Sequence, residues 1–285
     1  MHVWSKLSSA KWRDAWEERF FGMGQTNAVI KELPGGKTVR VEVYCEREED
    51  AAGIAKEFGG SVRALKEENW AAMAPQQMAP VKIRDCLLVT GETDTKKLAK
   101  LRDDHPNRQL LSIPAELAFG TGGHATTATC LRLLADIAHD RRRRGEDWSL
   151  LDLGTGTGIL AIAAVKLGAG RVEGFDFDPT AVKVAKRNAE RNNATRAQLD
   201  QGDVFEWEPE LGAWDVVTAN LFADILEANL DKIATALAPG GHWILSGILR
   251  ESEAGVLSEA TGAGLPEPRA IRRGKWVTLH GRKPT

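Results

Sequence analysis

Leu150-Leu151-Asp152-Leu153-Gly154-Thr155-Gly156-Thr157-Gly158, continued by Ile159-Leu160-Ala161-Ile162-Ala163-Ala164, reads as a strand, a glycine-rich turn and a helix. The glycines let the backbone turn sharply and come within contact distance of a ligand. Gly174-Phe175-Asp176 ends the next strand with a carboxylate placed to hold two ribose hydroxyls. A nicotinamide dinucleotide site fits the same outline, so the spacing has to decide. The dinucleotide fingerprint G-x-G-x-x-G uses its third glycine for close helix packing, and Ile159 stands in that place here. Asp152 would repel a pyrophosphate, yet it can accept hydrogen bonds from the cationic amino-acid end of S-adenosylmethionine. That ligand is the expectation, with Asp152, Gly154, Gly156 and Asp176 around it. Asp203, in Gln201-Gly202-Asp203, is placed to meet its adenine amino group.

From about residue 110 onward, strands and helices alternate, the pattern of a parallel sheet covered on both faces. Strands are expected at 150–153, 172–176, 198–200, 215–219 and 243–246. The last two, around 268–271 and 276–280, are separated only by Arg272-Arg273-Gly274-Lys275, too short for a crossover helix. They should form an antiparallel hairpin, and a reversed strand at the end of a parallel sheet suits methyltransferases better than dehydrogenases. The expected catalytic domain, 113–285, is thus a Rossmann-like class I methyltransferase fold.

Residues 1–69 read as strand, helix, two strands, helix, strand, a small ferredoxin-like α+β domain. Trp12, Trp16 and Phe20 recur at helical spacing, and Val39, Val41 and Val43 alternate as in a half-buried strand. Pro34-Gly35-Gly36-Lys37 is the expected turn between two strands, and Gly59-Gly60 the stop of a helix from Glu48. Residues 70–112 read as a connector and the start of the catalytic domain. Val81-Lys82-Ile83 and Cys86-Leu87-Leu88-Val89 look like short strands there, and Asp103-Asp104-His105-Pro106-Asn107 like a loop.

Of 285 residues, 42% are hydrophobic and 27% charged, an ordinary globular composition, and the formal net charge of −2 gives no general bias toward nucleic acid or anionic membrane. No apolar run approaches the ~20 residues of a bilayer span, and the first residues lack a signal-peptide pattern. Cys45, Cys86 and Cys130 are dispersed and odd in number, so neither a disulfide framework nor a metal motif is expected; all three read as buried small hydrophobes. These features point to a cytoplasmic soluble protein without a metal, and a monomer is the expectation.

Three further segments narrow the family: Ala118-Phe119-Gly120-Thr121-Gly122-Gly123-His124-Ala125-Thr126-Thr127, Ala219-Asn220-Leu221-Phe222-Ala223 and Ser246-Gly247-Ile248-Leu249. With the glycine loop and in this order, they resemble the bacterial ribosomal protein L11 methyltransferase family. Asn220-Leu221-Phe222 stands where Asn-Ile-Leu is more frequent, and Ala125 where proline is common. Neither change removes a polar group that the chemistry needs. The resemblance implies that Thr126 and Thr127 line the cofactor site, with Gly154, Asp176 and Asn220 as further contacts. It also implies methylation of lysine side chains and the N-terminal amine of ribosomal protein L11, recognised by the small N-terminal domain.

Methyl transfer from a sulfonium to an amine is an in-line displacement, in which an enzyme mainly aligns the reactants. The amine must be neutral to attack, so a lysine of pKa ~10.4 has to lose its proton in an apolar pocket. The expected catalytic segment is Asn220, Leu221 and Phe222. The Asn220 side-chain oxygen and the Leu221 carbonyl accept hydrogen bonds from the amine, and Phe222 forms a wall whose ring face favours the cationic product. The alternative role for Asn220 is to cap the next helix. His124 is expected to shape the loop with its ring bonded to backbone, or else to act as general base. Arg141 to Arg144 read as a solvated helix end, or as a contact to ribosomal RNA. Competing functions are a protein-lysine methyltransferase with another target, a nucleic-acid amino-methyltransferase, and a binding protein without turnover. Residues 1–69 weaken the nucleic-acid reading, holding eleven Lys plus Arg against twelve Asp plus Glu.

Overall fold

The computed structural model describes the chain apart from residue 1 and residues 23–27, 34–36, 46, 65–78, 115–122 and 267. Residues 34–36 of the expected turn, 70–78 of the connector and 118–122 of the upstream motif lie outside the described residues. The chain divides into two compact units, Met1–Gln76 and Gln77–Thr285.

The first unit runs β1 (His2–Ser9), one turn of 3-10 helix (Ala10–Trp12), α1 (Arg13–Gly22), β2 (Ala28–Glu32), β3 (Thr38–Cys45), α2 (Glu48–Phe58) and β4 (Ser61–Ala64). Its sheet has the order β2-β3-β1-β4 with every pairing antiparallel. One face buries Val39, Val41 and Val43, which alternate along β3, against Trp4, Phe20 and Ile54. The aromatic contacts are tight: Trp16 stacks on Phe20 with centroids 5.8 Å apart, and Phe58 meets both rings edge-on. Trp12 departs from its expected place on that face and is 54% exposed. It lies in the 3-10 turn, whose three residues per turn put it out of phase with the α-helical row of Trp16 and Phe20.

The second unit begins with a three-stranded sheet, β5 (Val81–Ile83), β6 (Leu87–Thr90) and β7 (Gln109–Ser112), with α3 (Thr95–Asp104) between the last two. Two residues expected in a loop, Asp103 and Asp104, are the last turn of α3. Acidic residues oppose the dipole at a helix C-terminus and so mask it in the sequence. The helix is instead fixed at its start, where the Asp94 carboxylate accepts from the backbone N–H groups of Lys96 and Lys97, both at 3.0 Å. Cys45 and Cys130 are buried as expected, whereas Cys86 at the β5–β6 turn is only half-buried.

The main sheet follows, built from α4 (Ala125–Arg144), β8 (Ser149–Leu153), α5 (Ile159–Leu167), β9 (Arg171–Asp176), α6 (Pro179–Arg191), β10 (Gln198–Gln201), β11 (Trp214–Asn220), α7 (Ala223–Glu227), α8 (Leu230–Ala236), β12 (Leu237–Leu249), α9 (Glu253–Gly262), β13 (Arg269–Arg273) and β14 (Trp276–Arg282). The strand order is β10-β9-β8-β11-β12-β14-β13. β13 and β14 form the expected antiparallel hairpin. The reversed strand is not at the edge, however: β14 enters between β12 and β13 and is antiparallel to both. Gly281 of β14 lies opposite Trp243 of β12, and a Cβ on Gly281 would overlap the indole ring. This is the class I methyltransferase arrangement, parallel except for one strand. Arg142 to Arg144 are exposed at the end of α4, as a solvated helix end requires. Arg141 turns inward, 12% exposed, and bridges Glu146 and Asp215.

Candidate active site

The chain leaves β8 toward β9 and β10 on one side and returns to β11 on the other, so β8 and β11 are neighbours whose connections diverge. Ligands of open α/β sheets bind at such a switch point, outside the carboxyl ends of the strands. The loop Gly154–Gly158 after β8, the carboxylate of Asp176 ending β9, and Asn220-Leu221-Phe222 after β11 all project from that edge.

Gly154, Gly156 and Gly158 all have positive φ, at 67°, 56° and 78°. A side chain at any of them would be strained, and a Cβ on Gly154 would also overlap Leu221 Cδ2. The turn is braced from below. Thr155 Oγ1 donates to Asp152 Oδ2 at 2.7 Å, and Thr218 Oγ1, from mid-β11, donates to Asp152 Oδ1 at 2.6 Å. Asp152 is 1% exposed, and burial pushes its carboxyl up to about 6 despite the two hydroxyls, with the nearby Asp176 adding to the rise. The side chain of Asp152 therefore sits beneath the loop with both oxygens engaged. Gly174 of β9 leaves room for this arrangement, since a Cβ there would lie 3.1 Å from Thr155 Oγ1.

Asp176 accepts from the Gly156 N–H at 2.8 Å and from the Asp178 N–H at 3.0 Å, which ties the end of β9 to the glycine loop. A carboxylate has about four acceptor sites, so two remain for a ligand. Asp203 Oδ1 accepts from the Phe205 N–H at 2.9 Å, holding the turn after β10. It shares that edge of the sheet, next to β9.

Asn220 does not cap α7, whose N-cap is Phe222 with no side-chain cap bond. Its Nδ2 donates instead to Thr126 Oγ1 at 3.4 Å, joining the end of β11 to the first turn of α4. Asn220 Oδ1 and Thr127 Oγ1 are both buried without a hydrogen-bond partner among the described residues. Asn220 Oδ1 lies at the end of β11 and Thr127 in the first turn of α4, and a buried acceptor without a partner is a place where a ligand's donor can be received. The Leu221 N–H donates to Ser246 O at 3.0 Å, and Gly247, at φ 84°, lets the backbone pass so close that a Cβ would overlap Leu221 O. Phe222 is 53% exposed beside them. His124 is the N-cap of α4, its ring accepting from the Thr126 N–H and resting edge-on against Trp276, with centroids 5.2 Å apart.

Thr155, Thr218, Gly174 and Trp276 join the site through contacts that no motif in the sequence marks. The one signal for Thr218 is a hydroxyl inside the apolar run Val216-Val217-Thr218-Ala219. Among the described residues no cluster of His, Cys, Asp and Glu could hold a metal ion.

Comparison with known proteins agrees with this geometry. The sequence model of the family described as Ribosomal protein L11 methyltransferase (PrmA) matches residues 4–284. A ribosomal protein L11 methyltransferase of Pelotomaculum thermopropionicum is 38% identical over 241 residues, 82% of this chain and 74% of that protein. Its counterpart in Agrobacterium fabrum is 35% identical over 274 residues, 95% and 86% of the two chains. The crystal structure of a ribosomal protein L11 methylase from Lactobacillus delbrueckii subsp. bulgaricus shares the fold, with a TM-score of 0.57 at 24% identity over 72% of this chain and 100% of that one. A match running from the first strand to the last, over both units, makes this chain a member of the ribosomal protein L11 methyltransferase family.

Proposed function

We propose that the chain transfers methyl groups from S-adenosylmethionine to amino groups of ribosomal protein L11, on lysine side chains and the N-terminal amine. The observation that carries this reading is the buried Asn220 Oδ1, without a partner among the described residues, at the end of β11 where the next residue, Leu221, packs against Gly154 of the glycine loop. The residues suit that cofactor. Gly154 and Gly156, at φ 67° and 56°, present backbone without a side chain, Asp176 has acceptor sites to spare for ribose hydroxyls, and Asp203 follows the neighbouring strand for an adenine amino group. Thr127 supplies a further polar contact. Asp152, with its oxygens committed, contributes negative charge beneath the loop toward a cationic amino-acid end.

When bound, S-adenosylmethionine supplies a methyl group already activated on a sulfonium. The chain's own residues do the rest by alignment. Asn220 Oδ1 and Leu221 O accept hydrogen bonds from a neutral amine and fix its lone-pair direction, and Gly247 permits the position of that carbonyl. Phe222 walls the approach. The segment Asn220-Leu221-Phe222 carries no side-chain base, so desolvation is what favours the neutral form of the amine. The first unit, with its βαββαβ order, acts as a ferredoxin-like recognition domain for the substrate protein. Arg142 to Arg144 are available to ribosomal RNA, and the chain works as a cytoplasmic monomer; no described helix is long and apolar enough to cross a membrane.

The test is transfer of labelled methyl to purified ribosomal protein L11, with mass mapping of the product. Label on its amines, with kcat reduced 100-fold or more in Asn220→Ala, is the expected result. Label only on a different protein would overturn the substrate. Near-normal turnover in Asn220→Ala would overturn the role of Asn220.

A further inference from the structure

Asn220 can serve the proposed reaction only if its amide presents oxygen, not nitrogen, to the site. The two ends of an amide have nearly the same shape, so packing cannot choose between them and hydrogen bonds must. The bond that chooses is made with Thr126, and the state of Thr126 is set in turn by His124.

Thr126 is 1% exposed. Its Oγ1 lies 2.7 Å from His124 Nδ1 and accepts from Asn220 Nδ2 at 3.4 Å. His124 Nδ1 also accepts from the Thr126 backbone N–H at 3.4 Å, which it can do only with a lone pair. Two donors therefore converge on Nδ1, and the single hydroxyl proton of Thr126 is spent on it. Thr126 Oγ1 is left with lone pairs alone to offer Asn220. The amide must then turn its NH2 group inward to Thr126, which aims Oδ1 the other way, as a buried acceptor without a partner among the described residues. A proton on Nδ1 would reverse the chain of donors. Thr126 would accept from the ring, its own proton would swing to Asn220, and the flipped amide would point NH2 at an incoming amine, donor against donor. His124 stands at the N-cap of α4, where the lone pair of its Nδ1 meets the Thr126 backbone N–H.

The geometry points to a relay in which His124, through Thr126, fixes the orientation of the Asn220 amide. His124 and Thr126 are then positioning residues, and Asn220 alone of the three meets the substrate. This rests on the proposed role of Asn220, and it reassigns Thr126 from a cofactor contact to the support of a catalytic residue. Trp276 of β14, edge-on to His124, braces the first member of the chain.

The test uses the full-length protein with ribosomal protein L11 as substrate. Thr126→Val keeps the shape and removes the hydroxyl, and Thr126→Ser restores it. The relay requires that Thr126→Val lower kcat about tenfold, the weight of one lost orienting hydrogen bond, while S-adenosylhomocysteine binds within twofold of normal. Thr126→Ser should recover most of the loss. Normal kcat in Thr126→Val would overturn the relay, and so would weakened S-adenosylhomocysteine binding with kcat unchanged, the pattern of a cofactor contact. Asn220→Ala, assayed alongside, separates the two levels. If it is inactive while Thr126→Val is normal, only the relay falls; if it is fully active, the underlying reading falls with it. A measurement needing no variant is nitrogen NMR of the histidine rings at neutral pH. The relay requires His124 to be neutral with its proton on Nε2, and a proton on Nδ1 would overturn it.

Discussion

Replacing Asp152 by Asn should stabilise the ligand-free second unit at neutral pH. The carboxyl is fully enclosed, and burial lifts it to about 6 from an ordinary value of 3.8, with Thr218 and Thr155 offsetting part of the rise. Between those values the folded protein holds the proton more tightly than the unfolded chain. The stability this group contributes is thus complete below about pH 3.8 and is lost as pH rises through 6. A difference of about two pKa units at ~1.36 kcal/mol each amounts to about 3 kcal/mol at pH 7.5. Asparagine has the same shape and never ionises, and either threonine hydroxyl can rotate to meet its NH2 group. Hydrogen exchange of the β8 and β11 amides would read the second unit without interference from the first. Wild type and Asp152→Asn should coincide near pH 4 and separate progressively, Asp152→Asn being more stable by about 3 kcal/mol at pH 7.5. Its affinity for S-adenosylhomocysteine should fall about tenfold at the same pH, because the buried negative charge beneath the loop is gone. Equal pH dependence in the two proteins, or a less stable Asp152→Asn at pH 7.5, would refute the reasoning.

Two further outcomes follow from local geometry. Gly154→Ala places a Cβ against Leu221 at a φ of 67°, so the second unit should lose about 1–3 kcal/mol and S-adenosylhomocysteine affinity should fall tenfold or more by calorimetry. His242 and His280 stack with Nδ1 and Nε2 3.2 Å apart. Burial pushes His242 down to about 4, with His280, Arg282, Arg141 and Arg144 adding to the shift, and pushes His280 down as well. Stability from His242 is therefore complete above pH 6.5 and lost as pH falls through 4, and His242→Gln should flatten urea-unfolding stability across that window by about 2 kcal/mol.

The site was legible in the sequence where glycine and a continuous apolar run coincide, as at 150–158, because only glycine takes the three left-handed positions there. The β13–β14 hairpin was legible from its four-residue separation, which admits no crossover. Its insertion beside β12 was not, since spacing says how strands connect and not which edge they join. α3 was hidden because Leu98 is its one buried residue and its last turn is acidic. β12 outran its expected four residues because Pro239-Gly240-Gly241 reads as a turn. In the structure those residues occupy a shift of register, between the pairs Trp214↔Leu237 and Val216↔His242. Residue roles that depend on a partner distant in sequence were the least legible. Thr126 meets Asn220 across 94 residues, and nothing local to either announces the bond.

The reversed β14 also governs how the catalytic sheet can be completed during synthesis. β13 pairs with β14 and with no other described strand, and β12 has β14 as its outer neighbour. While residues 276–282 are still inside the ribosome, a nascent chain has β12 as an open edge and β13 as a strand without a partner. An open edge is a template for pairing with another chain. Gly281 has to slide beneath Trp243, and Trp276 reaches His124 by the same insertion. β14 therefore closes the sheet and delivers the brace behind the His124 ring. Assembly of the active site thus waits on β14, and a chain broken off after β13 would carry an aggregation-prone edge in its place.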